Sequence, residues 1–387
     1  MERSNAIAYM HRLLQGMLEK GGSDLFVTAD AAPAIKLNNG IVPLAKQAIS
    51  SQQSQFLVRA LMNETQLKIF DREMEYNFSI SLPSIARFRV NAFTQRGHAG
   101  MVLRHIPHEI PSLEQLNLPA ILGELVSARA GLIFLVGSAG SGKSSTLAAM
   151  IDYRNQHHQG HIITIEDPIE FTHEHKKSLV TQREIGLDTL NYEVAMKNTL
   201  RQSPDVILLG EIRDQETMQY ALNYAETGHL CLSTLHANSA EQAIERIVNF
   251  FPYERREQIL MDLSINLSAI ISQHLVRKIS GEGRLPAVEV LRNTATMADF
   301  ILKGDIASMK EYVEKSAEQG MQTLDQALFA LIESRQIGVQ EAFRHADSVN
   351  DLRLRLKLQS RFAESKDFSE GTEGMQLEVL DTAPHTD

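Results

Sequence analysis

Residues 137–144 read Gly-Ser-Ala-Gly-Ser-Gly-Lys-Ser, a full match to the phosphate-cradling pattern G-x-x-x-x-G-K-[ST]. The apolar run Leu132-Ile133-Phe134-Leu135-Val136 precedes it and a helix-like stretch from Ser145 to Ile151 follows, so the loop stands between a strand and a helix. Such a loop bends only where glycines take the strained positions, here Gly137, Gly140 and Gly142. The backbone N–H groups of the loop, with Ser138, Ala139 and Ser141 between the glycines, then surround phosphate oxygens together with the helix N-terminus at Ser145. Lys143 reaches the β- and γ-phosphates, and the Ser144 hydroxyl ligates Mg²⁺. A Gly/Ser-rich turn between strand and helix is the blander alternative. Eight satisfied positions in the required context favour a nucleoside triphosphate site.

Working outward, strands alternate with helices from about 120 to 250, with strands near 132–136, 161–166, 206–210 and 230–235. That is the pattern of a mostly parallel α/β sheet. From 254 to about 357 the spacing predicts mainly helices, with Met261, Leu263, Ile265, Leu267, Ile270, Ile271 and Leu275 marking packed faces. Residues 106–119 carry Pro107, Pro111 and Pro119 with little periodicity and read as a linker. Before it lies a small α+β region. Ile7, Met10, Leu13, Leu14, Met17 and Leu18 share one helical face, strands follow at 24–28 and 34–37, and Asn39-Gly40 signals a hairpin into Ile41-Val42. A second helix fits 51–70, and strands fit 76–82, 86–93 and 99–106. The expected organisation is an N-terminal domain over 1–106, a linker over 107–119 and a phosphate-loop domain over 120–360, helical from about 254. An acidic, disordered tail over 361–387 completes it.

The chain has 387 residues, 43% hydrophobic and 22% charged, which describes a soluble globular protein of two domains. No apolar run reaches the ~18–20 residues that span a bilayer. The start, Met-Glu-Arg-Ser-Asn, leads into a mixed helical pattern and lacks a secretory apolar core. The expectation is a cytoplasmic protein, peripheral at a membrane only through its partners. Net charge is −10, but 363–387 holds seven Asp/Glu against one Lys, so the folded part is only mildly acidic. A basic surface for nucleic acid is not seen. The only cysteine, Cys231, excludes disulfides and tetracysteine zinc sites, and its setting Leu230-Cys231-Leu232 reads as a buried structural thiol.

A phosphate loop needs a carboxylate to organise the metal and a group to activate the attacking water. Two candidates end predicted strands, where ligands bind in open α/β sheets. One is Ile163-Thr164-Ile165-Glu166-Asp167-Pro168-Ile169-Glu170; the other is Val206-Ile207-Leu208-Leu209-Gly210-Glu211-Ile212-Arg213-Asp214. Glu211 takes the place of the Mg²⁺-organising residue, acting through water, and Glu166 or Glu170 polarises the attacking water. The sequence leaves open which of Glu166, Glu170 and Glu211 is the base. The stretch Thr227-Gly228-His229-Leu230-Cys231-Leu232-Ser233-Thr234-Leu235-His236-Ala237-Asn238 places His229 at the entry of a strand and His236 at its exit, candidates for sensing the γ-phosphate. His157, His158, His161, His173 and His175 read as solvated loop residues.

These four motifs in series resemble the secretion ATPase superfamily, and their order and spacing look most like the retraction ATPases of bacterial type IV pili, the PilT/PilU group. The resemblance covers about Ser23 to Lys357. It implies an N-terminal PAS-like domain, a C-terminal RecA-like ATPase domain, and a hexameric ring with nucleotide between the two domains. Assembly ATPases of the superfamily carry further N-terminal domains and a tetracysteine zinc site, which this chain lacks. The family draws arginines from the N-domain toward the phosphates, and the matching positions are Arg87, Arg89 and Arg104, with Arg96 a further candidate. One departure stands out. The family motif near Ala-Ile-Arg-Asn-Leu-Ile-Arg-Glu-Gly-Lys is here Ala295-Thr296-Met297-Ala298-Asp299-Phe300-Ile301-Leu302-Lys303-Gly304, without the arginines. That looks like the PilU branch, whose members assist a principal motor.

The resemblance thus implies an ATP- and Mg²⁺-dependent motor that turns or displaces an inner-membrane pilus platform protein during retraction and twitching. The competing readings are an accessory ring module with weak ATPase that docks on a paralogous retraction motor, and a secretion-system assembly ATPase or nucleic-acid translocase on the same core.

Overall fold

Six strands, β1 (Asp24–Val27), β2 (Ala34–Leu37), β3 (Gly40–Pro43), β4 (Glu75–Leu82), β5 (Ala86–Gln95) and β6 (His98–Ile106), form the first sheet of the computed structural model. The structure describes residues 2–37, 40–82, 85–106 and 109–360. The strand order is β3-β2-β1-β6-β5-β4, with every pairing antiparallel. Along β5, Phe88, Val90 and Ala92 are buried while the intervening residues are half-exposed, the period-2 pattern of a sheet with one face on a core. That core receives Met10, Leu13, Leu14 and Met17 from the helix Arg3–Glu19. The single helix expected over 51–70 is two helices, Ser51–Ala60 and Glu64–Glu73. Asn63 interrupts it because its side chain accepts the Gln66 N–H while Gln66 bonds back, a capping box that starts a new helix. Leu37 pairs with Gly40 across the expected hairpin, although Asn39 itself lies outside the described residues, as does the tail over 361–387.

The second sheet holds seven strands: β7 (Gly131–Val136), β8 (Gly160–Glu166), β9 (Ser178–Glu184), β10 (Val206–Leu209), β11 (Leu230–Leu235), β12 (Leu267–Arg277) and β13 (Arg284–Arg292), in the order β13-β12-β7-β11-β10-β8-β9. Strands β12, β7, β11, β10 and β8 run parallel, and β13 is antiparallel to β12. Val206–Leu209 is buried throughout and so is most of β7, as parallel strands covered on both faces require. Helices Lys143–His157, Gln215–Glu226 and Ala240–Asn249 follow β7, β10 and β11.

The chain divides into two compact units. The first is Met1–Ile110 with Asp167–Glu174 and Gln182–Asn191; the second takes Pro111–Glu166, His175–Thr181 and the chain from Tyr192 on. The expected boundary near 106–119 falls close to this division, but the two excursions from the second region into the first carry no compositional mark.

The mainly helical reading from 254 onward needs correction over 267–292, where Leu267, Ile270, Ile271 and Leu275 lie in a strand and not on a packed helix. Helix Arg256–Asn266 gives way to β12 and β13, and helices resume only at Ala295. The run Leu267–Ile271 is apolar except for Ser268 because β12 lies inside the sheet, and such a run has no clear period by which to tell a covered strand from a buried helix. Met261 and Ile265, expected in a packed face, are exposed. His161 is likewise not in a solvated loop: it lies in β8, with its ring nitrogens 2.9 Å from Gln202 O and 2.8 Å from Thr181 Oγ1. Cys231 is fully buried, and burial pushes its thiol far above the ordinary range, so it is the inert core residue expected.

Candidate active site

β7 delivers Val136 directly to Gly137. Gly137, Gly140 and Gly142 hold φ of 149°, 76° and 89°, values that side-chain-bearing residues rarely adopt. Space excludes a side chain as well: a Cβ on Gly137 would lie 2.5 Å from the backbone oxygen of Gln273, and one on Gly142 would lie 2.7 Å from Gln273 Nε2. Gly142 is the N-cap of helix Lys143–His157, and no side chain caps its first-turn N–H groups, the arrangement an anion completes. The Ser141 hydroxyl is buried with no partner among the described residues. Lys143 folds over the loop, its Nζ donating to Gly137 O and Ser138 O at 2.8 Å each. A glycine-bent loop, an uncapped helix start, an orphaned hydroxyl and an ammonium fit a magnesium-bound triphosphate, with Ser144 half-buried in the first turn.

The acidic residues leave the same edge of the sheet. Glu166 ends β8 and accepts a 2.6 Å hydrogen bond from Thr164 Oγ1. Parallel pairing sets Ile165 beside Leu209, and the Gly210 N–H donates to Ile165 O at 2.8 Å, so Glu211 emerges next to Glu166. Thr234 Oγ1 donates to Gly210 O at 2.7 Å and the Ile212 N–H to Thr234 O at 3.0 Å, which fixes the Glu211 segment against β11. β11 ends with Leu235 beside Val136, so His236 exits next to the start of the phosphate loop. Both carboxylate oxygens of Glu211 are engaged: Oε1 is 2.9 Å from His236 Nε2 and Oε2 is 2.7 Å from Arg213 Nε. Glu170 is exposed and belongs to the Asp167–Glu174 segment of the first unit.

His229 is elsewhere. It precedes β11, and its carbonyl accepts the N–H of Gly131, the first residue of β7, at 3.1 Å. Its Nδ1 lies 3.0 Å from Thr227 Oγ1 and 3.2 Å from Tyr224 O. The length of β11, about 20 Å, separates it from the edge that carries the phosphate loop of the same chain. As expected from the strand between them, His236 stands at the carboxyl end and His229 at the amino end, so of the two it is His236 that adjoins the phosphate loop of its own chain.

Within the first unit, Arg87 pairs with Glu184 at 3.1 Å, the two side chains 19% and 7% exposed. Ser79 Oγ and the Ile169 N–H reach the same carboxylate at 3.2 and 3.3 Å. Arg104 Nε lies 2.8 Å from Asp24 Oδ1, and Arg89, half-buried, sits opposite Arg104 in the β5–β6 register. Arg96 occupies the turn after β5 with φ of 49°.

Two buried polar residues escaped sequence reasoning. Gln273 of β12 bonds the phosphate loop, and Glu289 of β13 accepts the Ala240 N–H at 3.0 Å, just beyond the exit of β11. Burial pushes the Glu289 carboxyl up to about 8. The one available signal was a lone amide or carboxyl inside an apolar stretch, a group that burial obliges to find a partner.

The family model described as type II/IV secretion system protein matches residues 2–346. The chain is 52% identical over 373 residues to the type IV pilus ATPase PilU of Pseudomonas aeruginosa, covering 96% of this chain and 97% of that one. It is 42% identical over 320 residues to the retraction ATPase PilT of the same organism, covering 83% and 93%. Among solved structures, the pilus retraction motor PilT with bound ADP superimposes with a TM-score of 0.83 at 39% identity, covering 88% of this chain and 97% of that one.

Proposed function

The chain belongs to the type II/IV secretion system protein family, and on that premise we propose that it is an ATP-hydrolysing motor of the type IV pilus machine that drives or assists pilus retraction. The observation that carries this reading is the meeting of a glycine-bent phosphate loop with Glu166, Glu211 and His236 along one edge of a parallel sheet. The chemistry is attack of water on the γ-phosphorus, breaking its bond to the β–γ bridging oxygen and releasing ADP and phosphate. Lys143, now bonded to loop carbonyls, turns to the β- and γ-phosphate oxygens. Ser144 would hold Mg²⁺ directly and Glu211 through water, and the ion would offset charge on the phosphates. Glu166, oriented by Thr164, takes the proton from the attacking water, with Glu170 the alternative base. Steady-state ATPase assays of Glu166→Gln and Glu170→Gln separate these two: of this pair, the variant that loses the base stops turning over and the other does not.

We further propose a hexameric ring in which hydrolysis moves the RecA-like unit relative to the N-terminal one, acting on an inner-membrane platform protein from the cytoplasmic side. No helix among the described residues is long and apolar enough to cross a membrane, which suits contact with the membrane through that partner. The stretch from Ala295 to Gly304 favours an accessory form of this role: it forms a helix capped by Gly304 and lacks the arginines of the retraction motif. In that form the chain docks on a paralogous retraction ATPase. Full retraction by cells carrying Lys143→Ala beside an active paralogue would support the accessory reading; loss of retraction would support an obligatory motor.

A further inference from the structure

β12 runs beside β7 with Ser272 opposite Val136, so Gln273 stands beside Gly137 at the start of the phosphate loop. Its side chain is 3% exposed, and a buried amide left without partners costs ~1–3 kcal/mol. Both ends of the amide are used, and both on the loop and the helix it opens. Nε2 donates to Ser141 O at 2.7 Å, and Oε1 accepts from Thr146 Oγ1 at 2.7 Å. A backbone carbonyl only accepts, so the nitrogen must face Ser141, leaving the oxygen for the Thr146 hydroxyl. One side chain thus ties the segment before Lys143 to the first turn after it. The fit is close on the backbone too, since Gly137 and Gly142 are the positions where any Cβ would meet Gln273. The neighbours Ser272 and His274 reach Asn238 O at 2.9 and 3.1 Å, so this strand braces the exit of β11 as well.

We propose that Gln273 is a positioning residue for nucleotide binding. Its amide holds Ser141 through Thr146 in the curl that presents Lys143 and Ser144 to the phosphates, without itself touching nucleotide. Such a clamp answers a physical need. N–H groups aimed at one point repel one another until an anion arrives, and a loop left to itself relaxes away from that arrangement. Two short hydrogen bonds from a buried strand oppose the relaxation, so the site is paid for before nucleotide binds. The proposal rests on the loop being a triphosphate site and adds to it a residue from a strand outside all four motifs.

The test compares the full-length parent with Gln273→Leu, Gln273→Glu and Thr146→Val, reading the dissociation constant of magnesium-ADP, KM and kcat for ATP, and the thermal midpoint without nucleotide. Gln273→Leu raises the ADP dissociation constant and KM about tenfold at every pH, with kcat changed far less. Thr146→Val removes one of the two bonds and gives a smaller rise of about threefold. Gln273→Glu adds a readout that loss of packing would not move. Ionised, the introduced carboxyl accepts from Thr146 but has no donor for Ser141 O; protonated, it regains one. Burial raises its pKa, so its affinity is weak near pH 9 and returns toward the parent near about pH 6. If Gln273→Leu does not fold, the other two variants carry the test. A parent that binds ADP while all variants bind within twofold of it at every pH overturns the proposal. So does weakening confined to Gln273→Glu, which would make charge the cause. A parent that binds no ADP fails earlier, at the reading of the loop itself.

Discussion

The two histidines that bracket β11 make an instructive pair. His229 and His236 lie in one twelve-residue motif and look equivalent in the sequence, yet they stand at opposite edges of the sheet. His236 is 2.9 Å from Glu211 and adjoins the phosphate loop; His229 closes a turn with Thr227 and Tyr224. The difference follows from strand direction alone. In a parallel sheet every carboxyl end reaches the same edge, and helix N-termini with their unpaired N–H groups gather there. Chemistry collects on that edge, while the amino edge holds the turns that return the chain.

This contrast is broken most decisively at Lys143. Replacing it with alanine removes the only loop ammonium, and ATPase activity should fall by about a thousandfold. The thermal midpoint of the nucleotide-free chain should stay close to that of the parent. A variant that hydrolyses ATP normally would mean that the carboxyl edge is not where nucleotide reacts. Next in size is Glu211→Gln, which keeps the shape but discards the charge that meets both His236 and Arg213. A fall of about a hundredfold in kcat is expected, and undiminished turnover would remove Glu211 from the site. His236→Ala should cost about tenfold in kcat, because it frees one Glu211 oxygen without removing the carboxylate. An effect as large as that of Glu211→Gln would instead make His236 a direct participant.

How much of this was legible beforehand follows the same division. The glycine-bent loop and the strand-end positions of Glu166 and Glu211 were readable because glycine spacing and an acid at the end of an apolar strand are local signals. That His229 and His236 bracket a strand was legible too, but not that the exit of β11 adjoins the phosphate loop, which depends on its parallel pairing with β7. β12 and β13 were mistaken for helix because strands buried on both faces lose the period-2 pattern that exposed strands keep. Gln273 and Glu289 were invisible for a related reason: their importance lies in partners more than forty residues away in sequence. Arg87 and Arg104 were singled out only through the family resemblance, and their pairing with Glu184 and Asp24 is a fact of tertiary structure.

The smallest effect is the most discriminating. His229→Ala removes a ring whose Nδ1 contacts only the turn at Thr227 and Tyr224, and it leaves the backbone bond from Gly131 to the His229 carbonyl intact. Loss of one such side-chain bond costs ~0.5–1.5 kcal/mol, which in a unit of this size lowers the thermal midpoint by about 1–4 °C. ATPase activity of the isolated chain should stay within about twofold of the parent. His229→Ala and His236→Ala thus trade places between the two readouts: one moves stability and spares turnover, the other does the reverse. Should His229→Ala instead reduce kcat tenfold with its midpoint unmoved, the histidine must meet nucleotide bound somewhere other than the loop of its own chain. In a ring, the surface that could bring it there belongs to a neighbouring copy, so mixing the variant with Lys143→Ala chains would show whether activity returns in the mixed assembly.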